Sequence, residues 1–251
     1  MEHTAKLREL LNPALFERLR HLWFGHISDE DHIFVPSIDE ALVWFTRNDG
    51  FDNICSAEFG ATLASLRELN CNGMDIMAAV PTMSALDWMS LIILLDQLPR
   101  NCYRDDKAGI AYSYFDPLAQ RIALEAIKAR VPEDPEVRYK QAYRFWFYMP
   151  LEHSESMHFQ DMLAKEQNAM FGAALGLSQE MDHQKGEELT LIQAARGAFD
   201  RRQEALEILI GTFTRIAAEH RDVLERFGRY PRRNQALDRT STKEEEEFLL
   251  T

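Results

Sequence analysis

Three short clusters of charged and amide side chains stand out in this sequence as candidates for chemistry. They occupy residues 95–104, 148–155 and 226–242, and the first comes directly after the most apolar segment of the chain. A polar group that is buried costs stability unless it is hydrogen bonded or paired with an opposite charge. Clusters of this kind therefore either hold helices together or form a binding or catalytic site.

The first cluster reads LDQLPRNCYR. Asp96 and Gln97 extend the buried apolar run, and the proline that follows ends the helix. Arg100 and Arg104 then lie near the negative C-terminal pole of that helix. Asp96 and Arg100 are one helical turn apart, so an ion pair that caps the helix is one interpretation and a ligand site is the other.

The second cluster, YMPLEHSE, places His153 between two glutamates. A neighbouring carboxylate can hold the tautomer of an imidazole and raise its pKa, so Glu152, His153 and Glu155 are candidate acid–base residues. Glu155 and His158 also have the Glu-x-x-His spacing of di-iron bundles. The chain has no second such pair, so we predict no metal site and no cofactor. The alternative is that Glu155 only begins a helix that Ser154 caps.

The third cluster is basic in an acidic protein. Five arginines and one aspartate lie between residues 226 and 239, so this stretch carries +4 within a net charge of −13. A guanidinium binds carboxylates and phosphates through a planar pair of donors. A helix ends at Gly228 in this cluster, and another helix ends in the first cluster. Both clusters can therefore present arginines from a helix end to one shared space. Alternatively, these arginines neutralise the protein's own carboxylates.

Together the clusters resemble the hallmark blocks of the DUF924 family of uncharacterised helical proteins. The family blocks L-D-Q-F-P-R-N-x-x-R, Y-x-P-x-E-H-S-E and R-F-G-R-F-P-H-R-N-x-x-L-G-R-x-S-T occur here in the same order and spacing. The chain departs from them at Leu98, Arg232 and Asp238, where the family has Phe, His and Gly. Losing that His weakens a mechanism that would use it as a base, and Asp238 is placed to pair with a neighbouring Arg. The resemblance implies an all-α, tetratricopeptide-like fold and no particular reaction.

The elements that position these clusters are predicted to be helices. Helix-start signals recur at Asn12-Pro13, at Ser37 with Glu40, at Thr82 or Ser84, at Asp116-Pro117, at Asp134-Pro135 and at Thr242 with Glu245. We predict about eight to ten helices in antiparallel pairs, forming a single all-α domain over residues 1–251. Val137–Tyr148 is predicted as one helix. Glu187–Phe227 is predicted as one long helix or two, with Gly197 or Gly211 as the interruption, and the polar stretch before it, residues 179–188, as a mobile loop.

The composition excludes several classes of function. Lys and Arg number 28 against 41 Asp and Glu, which argues against nucleic acid or an anionic membrane as the partner. Three cysteines are too few for a disulfide scaffold and fit a reducing compartment. No apolar stretch approaches the roughly 20 residues that a membrane span needs, and no leader peptide is visible. We therefore expect a soluble, cytoplasmic protein.

These observations predict a concave site between helices for a small anionic ligand that carries a carboxylate or a phosphate. The expected ligand-binding residues are Gln97, Arg100, Asn101, Arg104, Arg229, Arg233 and Asn234. The expected acid–base residues are Asp96, Glu152, His153 and Glu155. If the protein is an enzyme, His153 carries the proton, held by Glu152 or by Asp96. Two alternatives stay open: a tetratricopeptide-like module that binds an acidic peptide, and a buried ionic network with a structural role only.

Overall fold

The structure, a computed structural model, describes residues 2–80, 83–180 and 186–250, and this part of the chain is helical without a β-strand. Its α-helices of five or more residues are α1 (Glu2–Leu10), α2 (Pro13–Phe24), α3 (Glu30–Phe34), α4 (Ile38–Phe45), α5 (Asp49–Glu68), α6 (Gly73–Ala79), α7 (Ala85–Asp96), α8 (Leu98–Cys102), α9 (Asp116–Lys128), α10 (Met157–Glu180), α11 (Glu187–Arg201), α12 (Gln203–Phe227) and α13 (Lys243–Leu249). The all-α class is confirmed. Within these described ranges, no helix is both long and apolar enough to cross a membrane.

Several helix ends lie where the cap residues predict them. The capping boxes of α4 and α13 form as expected, with Ser37 and Thr242 as the caps and Glu40 and Glu245 as their partners. Helix α12 ends at Gly228, which takes the left-handed conformation at φ 68°. A helix end of this type satisfies backbone groups locally, so its signal is readable from the sequence.

The predicted helix over Val137–Tyr148 is wrong. The chain instead forms short turns at Gln141–Arg144, Phe145–Phe147 and Met149–Glu152. All four residues from 145 to 148 are buried, as is Leu151. A continuous surface helix buries one stripe of its side chains, whereas this segment lies inside the protein on every side. Tertiary packing therefore overrides the helical pattern here.

The segment Glu187–Phe227 forms two helices, α11 and α12, as one of the two predictions had it. The helices meet at Arg202, so the interruption lies at neither of the predicted glycines, Gly197 or Gly211. The Arg202 guanidinium donates from Nε to the Val35 carbonyl at 2.6 Å, so a tertiary contact coincides with the break. Of the predicted loop at 179–188, residues 181–185 lie outside the described part of the chain.

Helix α7 lies at the centre of the core and positions the first cluster. Every residue from 89 to 96 of this helix is buried, including its last residue, Asp96. Trp146 packs edge-on against Trp23 and Trp44 nearby, each with ring centroids 5.3 Å apart. The helix therefore delivers a carboxylate to the interior, where it must find partners from other elements.

Candidate functional site

Asp96 and His153 bring the first and second clusters together. Helix α7 ends at Asp96, and His153 directly follows the turn Met149–Glu152. His153 Nδ1 lies 2.8 Å from Asp96 Oδ1, and Gln97 Nε2 donates to Asp96 Oδ2 at 2.5 Å. A carboxylate accepts the Nδ1 proton and so keeps the imidazole in the tautomer whose lone pair is on Nε2.

The charge states of this pair suit a base. Burial opposes ionisation of Asp96, but the charges of His153 and Arg100 hold its pKa below the ordinary value. Burial, reinforced by the Arg100 cation, lowers the pKa of His153 despite the opposing effect of Asp96. At neutral pH the pair is therefore a carboxylate beside an uncharged imidazole, which is the state that accepts a proton at Nε2.

Asp116 joins the first cluster to the third. Arg100 Nη2 donates to Asp116 Oδ1 at 2.8 Å and lies 3.7 Å from Asp96 Oδ1. Arg233 Nη1 lies 3.2 Å from Asp116 Oδ2. The two arginines that follow similar helix ends thus share one carboxylate. Burial raises the pKa of Asp116, while burial together with the nearby Arg100 lowers the pKa of Arg233.

Asp116 was predicted to cap a helix, and that prediction is wrong. Residues Ala111–Phe115 form a π-helical turn that runs straight into α9, so Asp116 is the first residue of the helix rather than its cap. Its carboxylate is therefore free to bind the two arginines instead of backbone amides. A π-turn is often found at functional sites, and the sequence carries no clear signal for it.

Tyr112, in the π-turn, lies close to both arginines. Its ring centroid lies 5.7 Å from Arg100 Cζ and 4.7 Å from Arg233 Cζ. The Tyr230 ring lies 4.9 Å from Arg233 Cζ, so two aromatic rings contact this guanidinium. Such contacts favour the cation and orient its plane.

A glycine allows the third cluster to approach. A Cβ at Gly109 would overlap the carbonyl oxygen of Ala236, so any other residue there would push the two segments apart. Two residues later, Asp238 takes the left-handed conformation at φ 52°. This conformation explains why the family has Gly at that position, and Asp is among the residues that tolerate it.

A small pocket of about 160 Å³ opens beside His153. Its titratable lining is Asp116, His153, Glu155, Arg233 and Arg239, and the rest of its wall is Tyr112, Pro117, Gln120, Pro150, Ser154 and Leu237. Glu155 does not begin a helix as the alternative interpretation had it. It accepts from the Tyr230 amide and from Arg239 Nη1, each at 2.9 Å, and so connects the second and third clusters.

A larger pocket of about 600 Å³ shares Tyr112 and Arg233 with the small one. It is also lined by Glu219, His220, Asp222, Val223, Tyr230, Pro231, Arg232 and Phe248. Arg232, where the family has His, therefore contributes to this second wall. Tyr112 and Arg233 therefore belong to the walls of both pockets.

Glu152, one of the two carboxylates expected to hold His153, lies beside His220 instead. It is 4% exposed, and its Oε1 lies 3.3 Å from Nδ1 of His220. Burial, with a further contribution from Asp96, raises the pKa of Glu152 to about 8, so the side chain is protonated at neutral pH. Burial also lowers the pKa of His220. Nothing in the sequence singles out His220, which lies inside the long helix α12.

The structure places other predicted ligand-binding residues away from both pockets. Asn101 Nδ2 donates to Asp52 Oδ1 at 2.7 Å, and the Arg104 guanidinium binds both oxygens of Asp52 at 2.8 Å. These contacts attach α8 to α5. They satisfy the side chains within the protein, so their geometry is that of a helix–helix link.

Arg229 and Asn234 attach the third cluster to α13. Arg229 forms two hydrogen bonds to Glu245, at 2.6 and 2.8 Å, and a third to the Thr240 carbonyl at 3.0 Å. Asn234 Nδ2 donates to Glu245 Oε2 at 3.3 Å and to Ser241 Oγ at 3.1 Å. Of the four arginines that were expected to bind an anion, Arg233 lines both pockets, and Arg100 lines neither but contacts Asp96 and Asp116 next to the small one. Arg104 and Arg229 lie apart.

No group of three or more metal-ligating side chains is placed to hold a metal ion among residues 2–80, 83–180 and 186–250.

No curated protein matches the chain. A solved structure of a protein of unknown function from Agrobacterium tumefaciens is similar over 94% of this chain and 97% of that one, with 26% sequence identity and a TM-score of 0.56. The family model described as a bacterial protein of unknown function, DUF924, matches residues 19–251, and the chain belongs to this family.

Proposed function

We propose that this DUF924 protein binds a small anionic molecule in the 160 Å³ pocket and that His153 is the acid–base group that acts on it. The observation that carries the proposal is the Asp96–His153 pair at the wall of a pocket that Arg233 also lines. A base that is held by a buried carboxylate, beside a cation in a concave site, is the arrangement expected of an acid–base catalyst.

The two ring nitrogens of His153 have separate roles in this proposal. Nδ1 is held by Asp96, and Nε2 has no hydrogen bond to any residue in the described ranges. A substrate X–H in the pocket would transfer its proton to Nε2, leaving X⁻ and an imidazolium. Asp96 stabilises the imidazolium, as the carboxylate of a catalytic triad does. Arg233 stabilises the negative charge that remains on the substrate.

Arg100 contributes a second positive charge close to the bound anion. Its Nε and Nη1 are buried and have no hydrogen-bond acceptor among the described residues. A buried donor without an acceptor is destabilising, so a nearby anion would be favourable. Arg100 and Arg233 share Asp116, so neither guanidinium has this carboxylate to itself.

The charge balance of the free site predicts how binding depends on pH. Asp96 and Asp116 offset Arg100 and Arg233, so an added anion makes the site negative unless a proton is taken up. His153 is the residue that takes it, because its pKa is low in the free protein. Anion binding therefore raises the His153 pKa, and affinity increases as the pH falls through that pKa.

The side chains of Arg100 and Arg233 favour a small ligand over a peptide. Their exposed fractions are 17% and 13%, whereas a peptide-binding groove would present them on an open surface. A purely structural network is the remaining alternative, and the pairs formed by Arg104 and Arg229 are of that kind. The experiment below separates these cases.

The test is an NMR titration of ¹⁵N-labelled protein with inorganic phosphate and with acetate, read at the ring nitrogens of His153. We expect both anions to raise the His153 pKa. Arg233→Met should weaken binding by about tenfold or more, the equivalent of about 1.4 kcal/mol. Arg226→Met is the matched control, because Arg226 belongs to the same cluster but pairs with the exposed Glu244 and lines neither pocket.

Folding of the Arg233 variant is checked by thermal unfolding, and Arg233→Lys provides a second variant that keeps the charge beside Asp116. Lysine lacks the planar pair of donors, so its affinity should fall while the fold is retained. If the His153 signals do not respond to either anion, or if the Arg226 and Arg233 variants respond equally, the ligand site is refuted and the network is structural.

A further inference from the structure

We infer that the 600 Å³ pocket holds an aromatic ring of the same ligand, so the ligand is an aryl compound with one anionic group rather than a free inorganic ion. This inference rests on the proposed function, because it takes the anionic group to lie on Arg233 in the small pocket. It adds the chemical class of the remainder of the molecule and the surface that recognises it.

The sizes of the two pockets are the first argument. The small pocket, at about 160 Å³, has room for about five waters at roughly 30 Å³ each. Pockets for organic ligands are typically about 300–1,000 Å³, and the larger pocket lies within that range at about 600 Å³. The small pocket can therefore accept an anionic head group, and the body of the ligand requires the larger one.

The position of Arg233 is the second argument. Arg233 and Tyr112 line both pockets, so an anion on this guanidinium lies at the boundary between them. A ring attached to the anion through one or two bonds extends past Tyr112 into the larger pocket. No other residue pair is shared by the two linings.

The chemistry of the wall is the third argument. Tyr112 and Tyr230 contact Arg233 with their rings, and the His220 ring packs edge-on against Tyr230 with centroids 5.4 Å apart. Val223 and Phe248 complete the apolar part of the wall. Aromatic side chains at several angles bind a planar ring by stacked and edge-on contacts.

The charges in the larger pocket do not favour a second anionic group on the body of the ligand. Glu219 and Asp222 belong to its lining, and both are exposed and so remain hydrated. Glu219 pairs with Arg215 at 2.6 Å, and the exposed Arg232 balances the charge of Asp222. A second negative group would therefore gain no uncompensated cation among the described lining residues beyond Arg233, which the head group occupies. A neutral ring on a single anionic head group therefore fits this surface best.

The experiment compares two matched pairs of probes by isothermal titration: acetate with phenylacetate, and inorganic phosphate with phenyl phosphate. We expect each aryl compound to bind about tenfold or more tightly than its small partner. The two pairs also distinguish whether the head group is a carboxylate or a phosphate.

Val223→Trp fills the larger pocket and should abolish the preference for the aryl compounds, while the affinity for acetate and phosphate stays within about twofold. Ile208→Trp is the matched control on the same helix, because Ile208 is exposed and lines neither pocket. Phe248→Ala, a truncation in the short C-terminal helix, tests the same surface if the tryptophan variant does not fold.

The outcomes separate the two proposals. If acetate and phosphate bind in an Arg233-dependent way and the aryl compounds gain nothing, the inference is wrong and the anion site stands. If the preference survives in both Val223→Trp and Phe248→Ala, the ring lies elsewhere and the inference is also wrong. If no probe binds at all, the anion site itself is refuted.

Discussion

Replacing Asp96 with asparagine tests the contact on which the candidate site depends. Asp96→Asn keeps the shape of the side chain and removes its charge. The carboxylate is 1% exposed, lies 2.8 Å from His153 Nδ1 and accepts a hydrogen bond from Gln97. It also lies 3.7 Å from Arg100 Nη2. The substitution therefore removes a buried negative charge from the point where the first two clusters meet.

The expected loss of stability follows from what remains. Breaking a buried ion pair by removing one partner typically costs about 3–5 kcal/mol, because the other charge is left uncompensated. Arg100 keeps its 2.8 Å hydrogen bond to Asp116, so we expect the lower end of this range. For a chain of this length, about 3 kcal/mol lowers Tm by about 6–12 °C.

The assay is urea unfolding at pH 7, with an NMR titration of His153 on the same samples. The negative charge of Asp96 raises the His153 pKa, so that pKa should fall further in the variant. Asp87→Asn is the matched control on the same helix. Asp87 pairs with Arg20 at 2.8 Å, but both side chains are partly exposed, at 19% and 25%, and we expect a loss of about 1 kcal/mol or less.

Two results would contradict the reasoning. If Asp96→Asn is as stable as the wild type to within about 1 kcal/mol, Asp96 does not hold the two clusters together. If the His153 pKa is unchanged, the imidazole is not coupled to this carboxylate. Either result removes the basis for His153 as a positioned base.

Two further predictions concern neighbouring residues. The folded protein keeps the Glu152 proton up to pH about 8, whereas an unfolded glutamate releases it near 4.5, so stability falls as the pH rises between these values. The free energy of unfolding of Glu152→Gln relative to the wild type, measured with urea, should therefore increase by up to about 4 kcal/mol from pH 5 to pH 9. If the two proteins show the same dependence of stability on pH, this prediction is contradicted. Arg104→Met should lose about 1–2 kcal/mol through its bonds to Asp52 without weakening anion binding, and a loss of binding would place Arg104 in the site.

The site could be predicted only in part, and its residues show why. An ion pair between Asp96 and Arg100 was one of the two open interpretations because the residues are four positions apart, and that spacing is a local property. His153 stood out because an imidazole beside two glutamates is conspicuous in any sequence. Neither observation could say that Asp96, rather than Glu152, holds the ring, because the two carboxylates are 56 positions apart along the chain and the choice depends on packing.

The residues that sequence reasoning missed depend on long-range contacts. Asp116 has the appearance of a helix cap, and only the π-turn before it redirects its carboxylate to Arg100 and Arg233. Tyr112 and His220 have no distinctive neighbours in the sequence. The signal that was available for this region was Gly109, whose position allows the third cluster to pack against the turn.

The sequence by itself determined the all-α class, the capping boxes at Ser37 and Thr242 and the glycine cap at Gly228, because these depend on backbone groups within a few residues of the side chain that binds them. The division of the arginines was decided by the tertiary structure alone. Arg229 meets Glu245 and Arg233 meets Asp116, although both belong to the same cluster. A guanidinium pairs with whichever carboxylate the fold brings within reach, and that proximity is a property of the packed helices, not of the chain.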